Sequence, residues 1–242
     1  MLRRLFSHYI ADEVRPMLVL AMPIILAEVG WMTMGIVDTM MVGRQADSAV
    51  AIAAVSLGGI LYNAVAIFGT GLMLGLDTVV SRSYGAGDLD DAHRSLVNGV
   101  YLSLGMAPLA MGAVRLLNFV MRSVGTEPAV LVQATPYLQA LNWGTLPLLL
   151  YFVFRRYLQG IDLAKPVMFS LISANLVNLA GNWALVFGHL GFRAMGTVGS
   201  GWSTCIARTY MAGFLMVYCL YYDIRYKMGL RAGPRWPLPR VS

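Results

Sequence analysis

Residues 17–42 hold only two ionisable side chains, Glu28 and Asp38. About 20 apolar residues already cross the ~30 Å hydrocarbon core of a bilayer, so a run this long with so few charges reads as a membrane-spanning helix. An aspartate inside such a helix is unfavourable by about 3 kcal/mol on insertion scales, which is why it faces a bundle interior or a wet cavity and meets a partner or a cation. Asp38 therefore poses the question that organises the rest of the chain: which residues meet it.

Five further apolar runs, at 50–80, 96–117, 130–154, 166–188 and 198–222, are each long enough to span. Turn chemistry separates them: Gly85-Ala86-Gly87-Asp88, Gly125-Thr126-Glu127-Pro128, Lys165-Pro166, and the glycines between Gly188 and Gly196. The fold class is all-α and polytopic, with six transmembrane helices forming one lobe over 17–222. A short segment, 1–16, precedes the lobe and a basic, proline-rich tail, 223–242, follows it. The N-terminus has basic residues before an apolar run, but that run is too long for a signal-peptide core and no small-residue cleavage site follows, so it is read as retained. Hydrophobic residues make up 58% of the chain and charged ones 12%, about half the charge of an average soluble domain. Pro23 lies inside the first helix, where its missing N–H and its ring favour a bend. Cys205 and Cys219 share one late run and have neither disulfide nor metal-ligand spacing.

The basic residues give the orientation. Of 18 Lys and Arg, thirteen fall before helix 1, at the helix 2–3 and 4–5 connections, or in the tail. Four (Arg44, Arg115, Arg122 and Arg193) fall on the other side, and Arg208 sits within helix 6. Lys and Arg accumulate in cytoplasmic loops, so both termini are assigned to the cytoplasm. The net charge of +6 is explained by these loops, and no aromatic-interleaved basic patch points to nucleic acid.

With the side assigned, depth follows from the ~1.5 Å rise per residue. Asp38 lies in the outer half of helix 1. Asn175, Asn178 and Asn182 on helix 5 are spaced three and four apart, hence on one face, with the last two at the depth of Asp38. Glu28 and Arg208 both come out ~15 Å from the membrane faces, where neither is easily left alone, and they are expected to pair or to face a common cavity. Asp77, near the cytoplasmic end of helix 2, is expected to order the next loop.

The stretches AMPIIL around Pro23, VDTMMVGR at 37–44, GLDTVVSRSYGAGD at 75–88, YLQG at 157–160 with Pro166, NLAGNW at 178–183 and AMGTVGSGWST at 194–204 occur in one order along the six runs. As an ordered set they resemble the amino-terminal half of the multidrug and toxic compound extrusion (MATE) transporters, of the bacterial NorM-type branch. The resemblance implies a cation-coupled antiporter of the cytoplasmic (inner) membrane, exporting organic, often cationic compounds in exchange for Na⁺ or H⁺, with no other cofactor. It further implies a coupling-ion site at Asp38, Asn178 and Asn182, with Thr204 added from helix 6, and a helix 1 that bends at Pro23. Carboxylate and amide oxygens are hard ligands suited to Na⁺, and a desolvated carboxylate can carry a proton instead.

Members of that family have twelve helices in two lobes, and this chain has six runs. The expectation is therefore a truncated product, a fragment, or a half-sized transporter that pairs with a second six-helix lobe or another copy of itself. Alternatives are a lipid-linked oligosaccharide flippase of the same superfamily and a six-helix remnant that does not transport. An enzyme is not expected. There is no HExxH, no GxSxG at a helix end and no pair of intramembrane aspartates at one depth, and His8, His93 and His189 fall in loops or the N-terminal segment.

Overall fold

A computed structural model describes residues 15–123 and 125–226, and among them all regular structure is helical. Seven helices follow one another: α1 (Arg15–Val42), α2 (Ser48–Gly85), α3 (Leu89–Ser123), α4 (Pro128–Trp143), α5 (Thr145–Gly160), α6 (Ala164–Phe187) and α7 (Thr197–Tyr226). The expected segments 1–16 and 223–242 lie outside the described residues, except that α1 begins at Arg15 and α7 continues to Tyr226.

Five helices (α1, α2, α3, α6 and α7) are each long and apolar enough to cross a membrane. The fourth apolar run differs from expectation, because 130–154 is not one helix. It is split into α4 and α5, of 16 residues each, with Gly144 between them. Pro147 has no N–H to donate to the carbonyl of Trp143, so the ladder cannot run through this point. Gly144 closes α4 with its N–H on the carbonyl of Leu141 at 2.9 Å and starts α5 with its own carbonyl on the N–H of Leu148 at 3.0 Å.

Packing places α7 between α6 on one side and the α4–α5 pair on the other. α2 lies against α3, α4 and α5, while α1 runs along α6 and meets α2 only sparingly. Around α5, Tyr151, Tyr157, Leu158, Leu171, Met211 and Leu215 form one buried cluster. Val55, Tyr62, Tyr137, Leu138 and Leu148 form a second, between α2 and α4–α5. The outer faces keep large apolar side chains such as Met32, Ile67, Phe68 and Val132 exposed, as contact with lipid tails requires. The chain is a multi-pass membrane protein.

Glycines set how closely α6 and α7 approach. A Cβ at Gly181 would stand 2.6 Å from Ser203 Oγ, and one at Gly199 would stand 2.6 Å from the carbonyl of Leu185. Only hydrogen at these positions lets the two helices close far enough for side chains on both to share one group on α1.

Candidate functional site

Asp38 is 5% exposed, four residues before the end of α1. Its Oδ1 accepts hydrogen bonds from Asn178 Nδ2 at 3.0 Å and Asn182 Nδ2 at 2.6 Å, and its Oδ2 accepts one from Thr204 Oγ1 at 2.6 Å. Three helices thus converge on one carboxylate. Asn178 and Asn182 are one turn apart on α6 and fully buried. Ser203 on α7 braces the first of them by donating to its backbone carbonyl at 2.7 Å. All the donors to Asp38 are neutral, and among the described residues no basic side chain lies within salt-bridge distance of it. The structure therefore brings together Asp38, Asn178, Asn182 and Thr204.

The third amide of the α6 face does something else. Asn175 Nδ2 donates to the backbone carbonyl of Gly30 at 2.9 Å, tying α6 to α1 one turn or more from the carboxylate.

Asp38 opens onto a cavity of about 380 Å³ whose walls include Trp31 and Gly35 from α1, Tyr62 from α2, Tyr137 from α4 and Arg208 from α7. The Arg208 guanidinium carbon sits 4.6 Å from the centre of the Tyr62 ring, and its Nε and Nη1 are buried without a hydrogen-bond partner. Among the described residues the cavity therefore holds one carboxylate, hydrogen-bonded by neutral donors, and one guanidinium lying on a π-face with two of its N–H groups unpartnered, and the two form no ion pair.

The expected pairing of Glu28 with Arg208 is not what forms. Glu28 Oε1 accepts from Arg155 Nη2 instead, and Glu28 does not line the Arg208 cavity. The reason is that Arg155 is no loop residue. α5 continues to Gly160, which carries Arg155 inward to 2% exposure, in reach of Glu28 and 5.8 Å from the Phe152 ring. The neighbouring Arg156 donates to Asp77 Oδ2 at 2.8 Å, so Asp77 ties α2 to α5 rather than ordering the following loop. The sequence carried a signal for both pairs: two carboxylates within spans, Glu28 and Asp77, require two cations, and adjacent arginines supply them. Pro23 lies inside α1 as expected. His93, expected in a loop, is buried near the start of α3 beside Tyr157.

A profile of the MatE family matches residues 23–184, which takes in Pro23, Asp38, Asn178 and Asn182. The chain belongs to the MatE family. Among its relatives is a probable multidrug resistance protein NorM of Geobacillus kaustophilus, 33% identical over 198 residues, a match covering 81% of this chain and 43% of that protein. The multidrug resistance protein MdtK of Klebsiella pneumoniae is 32% identical over 231 residues, covering 95% of this chain and 50% of the other. In three dimensions the MatE chain resembles a crystal structure of MATE in the bent conformation, with a TM-score of 0.74 at 19% identity, over 92% of this chain and 48% of that one. This chain spans about half the length of the curated relatives it matches.

Proposed function

We propose that this MatE-family chain forms the ion-coupling lobe of an antiporter that exports organic, often cationic compounds across the cytoplasmic (inner) membrane in exchange for Na⁺ or H⁺. In this reading the lobe has six passes, α4 and α5 together making the fourth, with both termini in the cytoplasm. Export then uses a second six-helix lobe or another copy of this chain. The observation that carries the reading is Asp38, a buried carboxylate held only by neutral donors and facing a cavity. A structural carboxylate within a membrane span would be expected to meet a cation from the protein, as Glu28 and Asp77 do at other depths.

The residues present suit either ion. A proton neutralises Asp38 directly. For Na⁺, the hard oxygen ligands are the Asp38 carboxylate, the Thr204 hydroxyl and the Asn182 amide oxygen, which is buried without a partner and needs only a turn of the side chain to face the carboxylate. Among the described residues Arg208 is the sole cation lining the Asp38 cavity, too little positive charge for the pyrophosphate of a lipid-linked oligosaccharide. The half-length match favours one rival, a lobe that folds but does not transport unaided.

The test is efflux of a fluorescent cationic dye from proteoliposomes carrying this chain, under imposed Na⁺ or H⁺ gradients, beside Asp38→Asn. Gradient-driven efflux that the substitution abolishes supports coupling at Asp38 and identifies the ion. Efflux that Asp38→Asn leaves intact refutes the assignment of Asp38. Absence of efflux from folded, inserted protein supports the rival.

A further inference from the structure

Away from the Asp38 cavity, a groove of about 530 Å³ runs between α3 and α4, with Arg115, Asn118, Phe119 and Arg122 on one wall and Gln139 and Trp143 on the other. Arg115 and Arg122 are two turns apart on one face of α3, ~10 Å along its axis. Both are exposed, and neither has an ion pair or a hydrogen bond among the described residues. Glu127, at the start of α4, pairs with neither. Between the two arginines Asn118 is 8% exposed; its Oδ1 accepts from Thr135 Oγ1 at 3.2 Å, while its Nδ2 has no hydrogen bond among the described residues. The groove therefore offers two guanidinium groups and amide donors, with no anion to receive them.

Its level in the membrane says what kind of anion. α3 has 35 residues, which makes it ~52 Å long against a ~30 Å hydrocarbon core, so a centred helix overshoots by ~11 Å at each end. Arg115 then falls at the edge of the hydrocarbon and Arg122 among the headgroups. Phe119, 68% exposed, stands between the two arginines near the headgroup boundary, while Trp143, 60% exposed, lies more than a turn deeper than Arg115, next to Asn142, whose Nδ2 donates to the Met111 carbonyl at 3.1 Å.

We propose that this groove binds the phosphate headgroup of an anionic phospholipid. Arg115 and Arg122 bracket the phosphodiester with forked N–H donors, Asn118 and Gln139 donate from the two walls, and Trp143, deeper in the hydrocarbon, packs on an acyl chain. Basic pockets between transmembrane helices select such headgroups on the cytoplasmic side of membranes, and the same guanidinium–phosphate chemistry operates in either leaflet. The inference is independent of the transport reading, since it uses no residue of the Asp38 cavity and holds whichever side the groove faces.

The test reconstitutes the full chain in phosphatidylcholine vesicles containing a small fraction of lipid with brominated acyl chains, carried on phosphatidylglycerol in one set and on phosphatidylcholine in the other. Quenching of tryptophan fluorescence is compared, with Trp143→Phe isolating the signal from Trp143. The expected result is preferential quenching of Trp143 by the anionic lipid, reflecting roughly 10-fold local enrichment. That preference should be lost in Arg115→Gln/Arg122→Gln and kept in Arg115→Lys/Arg122→Lys, which shows that the loss follows charge and not misfolding. Equal quenching by the two lipids overturns the proposal, as does a preference that survives the glutamine substitutions. Removal of the preference by millimolar inorganic phosphate also overturns it, since free phosphate would then be the ligand.

Discussion

Glu28→Gln leaves the Arg155 guanidinium, 2% exposed, without its carboxylate. Breaking a fully buried ion pair from one side is unfavourable by about 3–5 kcal/mol. Here the Glu28 side chain is 51% open, so screening reduces the effect to about 2 kcal/mol. For a domain of this size that corresponds to a fall in Tm of about 4–8 °C. Arg155→Met keeps the buried stem and strands Glu28, at an open position, so its own loss is smaller. The double variant, with no charge left unpaired, recovers most of the stability, which gives a coupling energy of at least about 1.5 kcal/mol. Glu28→Gln combined with Arg208→Met provides the contrast, because these two residues do not meet and their effects should add within about 0.5 kcal/mol. The assay is thermal unfolding of the purified chain in detergent, followed by helical circular dichroism. Additivity between Glu28 and Arg155, or coupling between Glu28 and Arg208, refutes the pairing.

Thr204→Val removes the hydroxyl that donates to Asp38 Oδ2 at 2.6 Å, and a hydrogen bond to a charged group contributes about 1.5–3 kcal/mol. A lower Tm in Thr204→Val but not in Thr204→Ser is expected in the same unfolding assay; equal Tm values for the two variants would deny that bond its role. Gly199→Ala places a methyl carbon against the Leu185 backbone, an overpacking worth about 1–3 kcal/mol that forces α6 from α7. Gly213→Ala, on the same helix with open space around it, should instead stabilise by about 0.5–1 kcal/mol. Tm shifts of the same sign for these two would undo the close-packing argument.

The convergence on Asp38 was legible because two periodicities suffice for it: the rise per residue sets depth and the three–four spacing sets the face, so Asn178 and Asn182 could be matched to Asp38 without knowing the bundle. Thr204 needed the resemblance, since nothing in its spacing separates it from Ser203. The partner of Glu28 escaped because the first arginine after an apolar run reads as the water boundary, whereas Arg155 lies inside a helix that continues to Gly160. Hydropathy records how polar a residue is and not which way it points: Arg155 is buried, while the next residue, Arg156, is only half-buried. The split of the fourth run escaped for a related reason. Gly144 and Pro147 were in view, but an unbroken apolar average hides a single missing N–H.

The cavity beside Asp38 is walled by both α1 and α2, which scarcely meet, and each contributes a glycine to it, Gly35 and Gly59, with open space where a side chain would be. Bulk added at these positions narrows the cavity while leaving Asp38, Asn178, Asn182 and Thr204 as they are. In the proposed antiporter, the size of what enters and the affinity for the ion are thus written in different residues, and selection can change one without disturbing the other.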